Sequence, residues 1–225
     1  MPPPIKDATV ILLFLKAPVP GQVKTRLAAA IGVQAATEVY ETLVQSQLQR
    51  LPREYALEIH FAPADAGSQF ASWLGETLNY YPQEDGDLGD RLKHAVKTAF
   101  ARGAREVICI GADCPSLLPI HFEQTVAQLR SSENAVVLGP TTDGGYYLIG
   151  LRQPHDTLFE NVRWSTAHTL NDTLLQAKKT KLDVTTLETM PDIDEIEDLR
   201  SAIRAGYLSP ASLETYAPEQ SMITA

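Results

Sequence analysis

Apolar and polar positions fall into short runs of strand length and longer stretches with a helical period. Thr9 to Lys16 (TVILLFLK) is a near-continuous apolar run, the pattern of a parallel strand covered on both faces. From Val33 to Leu51, residues Tyr40, Leu43, Val44 and Leu51 share one stripe, which predicts an amphipathic helix ended by Pro52. Leu57 to Ala62 reads as a second strand, Phe70 to Leu74 as a short helix, and Thr77 to Pro82 as a poorer third strand. Leu88, Leu92, Ala95, Val96, Ala99 and Phe100 recur at helical spacing, with Asp87 placed to cap that helix. Val107 to Ile110 is a buried-strand run that exits through Gly111-Ala112-Asp113-Cys114-Pro115, where the proline blocks further ladder pairing. Phe122, Val126 and Leu129 mark the buried side of the next helix, and Ala135 to Gly139 the next strand.

The C-terminal third continues the alternation. Tyr146 to Leu151 is expected to add an antiparallel strand after a turn through Asp143-Gly144-Gly145. A helix capped by Ser165 or Thr166 runs through Leu175, Lys181 to Thr185 is strand-like, and two acids precede a helix start after Pro191. Residues 206–225 read as a short helix and a polar tail. Strands alternating with helices predict a mostly parallel sheet with helices on both faces. The 225 residues, 44% hydrophobic and 21% charged, suit one domain with a core over about 9–205.

Composition narrows the function classes. A net charge of −9 disfavours nonspecific nucleic-acid binding, so an anionic substrate needs a local basic pocket. No apolar run approaches the ~20 residues of a membrane span, and Met1-Pro2-Pro3-Pro4 lacks the features of a signal peptide, so a cytoplasmic location is expected. Cys109 and Cys114 make neither a disulfide framework nor a zinc site. The five histidines, His60, His94, His121, His155 and His168, lack metalloprotease spacing, and no G-x-S-x-G occurs.

The chemistry concentrates at two strand exits. Ligands of an α/β sheet bind outside the carboxyl ends of its strands, which is where Asp113 is expected. A carboxylate there either caps the following helix or holds Mg²⁺, which commonly takes one or two carboxylates plus phosphate oxygens. After the first strand, Ala17-Pro18-Val19-Pro20-Gly21-Gln22-Val23 must be a loop, and Lys24-Thr25-Arg26 opens a helix. Lys16, Lys24 and Arg26 beside a helix start form either a phosphate site or a solvated face. Neither a Walker A loop nor G-x-G-x-x-G is present.

Together, KAPVPGQVKTRL, GDLGDRL, GADCPSL, GPTTDGGYYLIGL, RWST and DIDEIEDL cover Val10 to Leu199. In that order they resemble the bacterial glycosyltransferase A-like (GT-A) branch of the nucleotide-diphospho-sugar transferase superfamily, related to molybdenum-cofactor and phospholactate guanylyltransferases. The resemblance implies a Rossmann-like sheet and a transferase using Mg²⁺ or Mn²⁺ with a nucleotide sugar or NTP and a small-molecule acceptor. It places Lys16, Ala17, Pro18, Gly21, Lys24 and Arg26 at the nucleotide phosphates, and Gln83 and Gly86 at the base. Asp113, with Asp192 or Asp194, takes the metal. Asp143, Gly144, Gly145, Tyr146 and Trp164 take the acceptor or sugar side, with Asp143 orienting the acceptor or serving as general base.

Two departures qualify this picture. The glycine-rich first loop is here Ala-Pro-Val-Pro-Gly, and Pro115 stands where a D-x-D pair has its second acid. Glycosyl transfer is the favoured expectation, nucleotidyl transfer the alternative, and a noncatalytic nucleotide-binding module the third.

Overall fold

The computed structural model describes residues 8–209, so most of the expected 206–225 tail lies outside the described residues. The first half contains β1 (Thr9–Lys16), α1 (Thr25–Ile31), α2 (Val33–Arg50), β2 (Ala56–Ala62), α3 (Gly67–Leu74), β3 (Asn79–Pro82) and α4 (Leu88–Ala101). It continues with β4 (Glu106–Ile110), α5 (Pro119–Leu129), β5 (Ala135–Pro140), β6 (Tyr146–Leu151), α6 (Thr169–Lys179), β7 (Asp183–Thr186) and α7 (Ile196–Arg204). A 3-10 turn at Asp156–Phe159, which carries no periodic signal, went unpredicted. The helix expected from Ser165 or Thr166 starts at Thr169, because Ser165 adopts φ 57° and Thr166 turns its hydroxyl back to the Arg163 carbonyl.

The strands form one sheet in the order β3-β2-β1-β4-β6-β5-β7. β1 pairs in parallel with β2 and β4, whereas β6 runs antiparallel to both β4 and β5. A short turn can join only antiparallel neighbours, so the Thr141–Gly145 hairpin dictates the direction of β6. The central strands are apolar on both faces because both are covered. Ile11, Leu13, Leu15, Ile108 and Ile110 pack with Tyr40 and Val44 of α2 and Phe122 and Val126 of α5. Val10, Leu12, Val107 and Cys109 face the other way, into Leu92, Ala95, Val96 and Ala99 of α4. This is the alternation that a pleated strand imposes on its side chains. A third cluster joins Leu27 of α1, Val39 and Leu43 of α2, and Ile193, Leu199 and Ala202 around α7.

The chain leaves β1 toward β2 on one side, while β4 enters on the other. A crevice therefore opens over the carboxyl ends of β1 and β4, where the order of strands reverses. No helix among the described residues is long and apolar enough to cross a membrane.

Candidate functional site

The crevice is a cleft of about 830 Å³. Phe14, Leu92, Cys109 and Ile149 give it an apolar floor on the α4 side of the sheet. Lys16 and the residues from Gln22 to Arg26 form one wall, and Asp113 and Asp194 stand beside them. Tyr146, Tyr147, Trp164 and Ser165 lie over β4 and β6, and Gln83, Gly86, Asp87, Leu88 and Arg91 close it from the start of α4.

The loop after β1 spends several of its backbone donors on itself and on β2. Ala17 N–H donates to the Ala62 carbonyl at 2.7 Å, Val19 N–H to Ala17 at 2.8 Å, and Gln22 N–H to Val19 at 2.9 Å. Pro18 and Pro20 have no N–H to offer. Val19-Pro20-Gly21-Gln22 is a β-turn with proline at its second position and glycine, φ +80°, at its third. Ala17, Pro18 and Gly21, expected at the nucleotide, therefore shape the turn and do not line the cleft. Gln22, Val23 and Thr25, not anticipated, do line it.

Lys24 caps α1 in a left-handed conformation, φ 48°, which aims its side chain across the cleft. Its Nζ lies 2.5 Å from Asp113 Oδ1 and donates to the Ile193 carbonyl at 2.5 Å. The Lys24 side chain is 5% exposed, that of Asp113 54%. Arg26 donates to Asp194 Oδ2 at 2.5 Å, with both groups exposed. Both cations expected on phosphate are thus paired with the acids expected on metal. Lys16 is exposed, lines the cleft and makes no ion pair among the described residues. Tyr40 fixes its backbone, accepting from Lys16 N–H at 3.0 Å and donating to the Lys16 carbonyl at 2.9 Å. Burial pushes the Tyr40 phenol well above its ordinary range, so it stays a neutral clamp.

The segment after β3 supplies a cation that sequence reasoning missed. Asp87 caps α4 as predicted, accepting from Asp90 N–H at 2.9 Å. One turn on, Arg91 donates through Nε to the Gly86 carbonyl at 3.1 Å and through Nη1 to Gln83 Oε1 at 3.3 Å. Neither partner is charged. The signal was available, because an arginine four residues past an N-cap sits on the cap's face of the helix. Gln83 and Gly86 line the cleft as expected. The Gln83 amide donates to the Leu15 and His60 carbonyls at 3.1 and 2.8 Å, so it binds the ends of β1 and β2 together.

The acids converge through a strap before α7. Met190 N–H donates to the Pro140 carbonyl at 3.0 Å and Ile193 N–H to the Asp113 carbonyl at 2.9 Å, which lays residues 190–194 across the exits of β5 and β4. Asp194 lines the cleft; Asp192 sits half-buried behind it. Burial, then the nearby Asp143, then Asp113 and Asp194 push the Asp192 carboxyl up to about 6. Among the described residues no three acidic, His or Cys groups form a ready-made metal cage. The donor set instead fits a cation held by one or two carboxylates and completed by phosphate oxygens. Asp113 is open to the cleft, and Asp192 would lose its repulsion on meeting a cation.

The hairpin residues take a different part from the one expected. Asp143 Oδ1 accepts from Thr141 Oγ1 at 2.5 Å and from Gly145 N–H at 2.9 Å, closing the turn. A Cβ on Gly144 would lie 2.3 Å from the Ala167 carbonyl, and Leu170 N–H donates to Gly144 at 2.9 Å, so the turn is docked against α6. Asp143, Gly144 and Gly145 do not line the cleft, whereas Tyr146 and Trp164 do. Trp164 stacks near Phe159 at 6.5 Å and meets Tyr146 edge-on at 6.3 Å. A second pocket of about 420 Å³ adjoins, sharing Asp87 and Trp164 with the cleft.

Residues 45–166 match the family described as an uncharacterized protein conserved in bacteria (DUF2064). Among solved structures, the chain is similar to a Desulfovibrio desulfuricans G20 protein provisionally assigned as a nucleotide-diphospho-sugar transferase. That match has 34% identity and a TM-score of 0.84, covering 91% of this chain and 90% of that one. A CMP:2-keto-3-deoxy-manno-octonic acid synthetase complexed with CTP shares the fold at 14% identity and TM-score 0.53, covering 90% and 100%. So does Rv0371c from Mycobacterium tuberculosis H37Rv, solved with manganese, at 14% identity and TM-score 0.54, covering 89% and 100%. No curated protein matches the chain.

Proposed function

The chain belongs to the DUF2064 family and has the fold of the nucleotide-diphospho-sugar transferases, and from that premise we propose that it transfers a glycosyl group from a nucleotide-diphosphate sugar. The observation that carries the reading is the shared cleft: Asp113 at the exit of β4 and the basic residues after β1 lie within contact of each other. A carboxylate beside cations at a strand switch point can hold a diphosphate and the counter-ion it brings.

Lys16 and Arg91 bind the diphosphate, since neither has a carboxylate partner of its own. The apolar floor of Phe14 and Leu92 leaves the base and ribose a dry surface. Asp113 and Asp192 would hold Mg²⁺ or Mn²⁺, which supplies compensation for the negative charge that grows on the departing diphosphate. A relative of this fold was crystallised with manganese, which supports a divalent cation here. Lys24 and Arg26 keep the acids neutralised when no ligand is present.

The first loop favours a diphosphate over a triphosphate donor. The N–H groups of Ala17, Val19 and Gln22 are engaged within the loop or with β2, and Pro18 and Pro20 have none, which leaves fewer donors for the cradle that a triphosphate needs. Nucleotidyl transfer is the second reading, supported by the CTP-bound relative. Incubation with donor and Mn²⁺ decides between them. Release of nucleoside diphosphate supports glycosyl transfer; pyrophosphate released from an NTP supports the alternative. Binding is checked first by thermal shift, where a ligand at 100 times its dissociation constant adds about 2.7 kcal/mol. No shift with any nucleotide would defeat the proposal.

A further inference from the structure

The charges along the cleft are unevenly placed. All four of its basic residues, Lys16, Lys24, Arg26 and Arg91, belong to the end of β1, the start of α1 or α4. Arg91 is held toward the β1 side by the Gly86 carbonyl and Gln83. The half over β4 and β6 is walled by Tyr146, Tyr147, Trp164 and Leu88, with Asp87 at its edge. The adjoining pocket carries Asp87, Asp90 and Glu160 against a single cation, Lys93. That lysine already lies 3.7 Å from Asp90 and 3.9 Å from Glu160. Arg163, next to Trp164, is held by a two-point bridge to Asp172 at 2.7 and 2.8 Å. The second half therefore has no cation without a carboxylate partner already beside it.

We propose that the acceptor is an uncharged polyhydroxylated molecule, lying over Tyr146 and Trp164 and extending into the second pocket between Asp90 and Glu160. Aromatic faces take up the apolar C–H surface of such a molecule, and carboxylates accept its hydroxyl protons in hydrogen bonds. A phosphorylated acceptor would enter a region of net negative charge whose one cation, Lys93, is already shared between Asp90 and Glu160, a placement that costs binding. The inference rests on the glycosyl-transfer reading and names its other substrate. The acceptor hydroxyl oxygen bonds to the anomeric carbon and its proton leaves to water. The diphosphate oxygen departs with the bonding pair.

The pocket has a built-in reporter, because Trp164 and Trp73 are the only two tryptophans. In the Trp73→Phe protein, with each fluorescence quenching constant divided by its value for free N-acetyltryptophanamide, quenching of Trp164 by caesium is expected to exceed quenching by iodide about threefold at low salt. The difference should vanish at 1 M salt and reverse in a Glu160→Lys variant. Normalised quenching by iodide equal to or above that by caesium overturns the inference.

Turnover supplies the second arm. With a nucleotide sugar and Mn²⁺, nucleoside diphosphate release is expected to rise with methyl glycosides or disaccharides and not with their phosphomonoesters. Greater release with the phosphomonoesters overturns the inference while leaving glycosyl transfer intact. Failure of nucleotides to bind at all defeats the functional reading itself, so the two failures are distinguishable.

Discussion

Lys24 and Asp113 meet at 2.5 Å, and the same ammonium donates to the carbonyl of Ile193. One cation thus fastens the loop after β1, the exit of β4 and the strap before α7. It stands where a divalent ion on Asp113 would have to come close, so lysine and metal compete for the same carboxylate. In Lys24→Met the competitor is gone, and Mn²⁺ without nucleotide is expected to bind about tenfold more tightly, while nucleoside diphosphate binds more weakly. Thermal-shift titrations with each ligand measure both. An unchanged Mn²⁺ midpoint would show that the two cations do not compete.

Asp113 itself is expected to matter for rate more than for folding. Its side chain is 54% exposed, so Asp113→Ala loses little packing. The change leaves the 5% exposed Lys24 ammonium without its carboxylate, a stability cost that the double variant Asp113→Ala, Lys24→Met removes. Removing one preorganised electrostatic group costs about 3–4 kcal/mol of transition-state stabilisation, or roughly 10²–10³ in turnover. Wild-type kcat at saturating Mn²⁺ in the folded variant would remove Asp113 from the chemistry.

Asp192 makes a prediction about pH. Its carboxyl is pushed up to about 6, by burial first and then by Asp143, Asp113 and Asp194. A raised acid binds its proton more tightly in the folded state, so folding loses stability as pH rises from the unfolded value toward 6. Asp192→Asn is therefore expected to raise the metal-free melting temperature at pH 7.5 and to leave it unchanged near pH 3.5. Added Mn²⁺ should stabilise the wild type more than the variant, and more at pH 7.5 than at pH 5.5. Equal melting curves for the two proteins at pH 7.5 would contradict this.

Gly89 tests the wall of the cleft. A Cβ there would lie 2.3 Å from Trp164 Nε1 and 2.8 Å from the Phe159 carbonyl. The start of α4 can approach Trp164 only without a side chain. Gly89→Ala must displace the indole or the helix, at about 1–3 kcal/mol of overpacking strain. Denaturant unfolding measures the loss. The emission of Trp164 should shift with it in the Trp73→Phe background.

Much of the fold was legible because its rules are local. The apolar runs at Thr9–Lys16 and Val107–Ile110 became adjacent central strands, and Asp87 caps its helix as its position required. The hairpin at Asp143 was readable as turn chemistry, and turn chemistry is what the structure assigns to it. Partnerships between distant residues were not legible. Lys24 finds Ile193 across 169 positions, and Arg26 finds Asp194 across 168. No spacing rule reaches that far, so two bound cations were read as free. Arg91 was passed over because its role depends on Gln83 and Gly86 turning toward it. The engaged N–H group of Ala17 likewise follows from where β2 ends, since its acceptor is the Ala62 carbonyl.

That contrast between free and paired cations can be measured. Lys16 and Arg91 face the cleft without an acidic partner, so neither gives up an ion pair when a diphosphate binds. Arg26 must first leave Asp194, and exposed pairs exchange partners at little net gain. Lys16→Ala and Arg91→Ala are each expected to weaken nucleoside diphosphate binding about tenfold by calorimetry, while Arg26→Ala changes it less than about threefold. The double variant tests whether the two act together. Two groups gripping one diphosphate should couple, so its loss should depart from the sum of the single losses by about 0.5 kcal/mol or more. Simple additivity would place Lys16 and Arg91 on separate parts of the donor, and a larger effect at Arg26 would return the phosphate to the first loop.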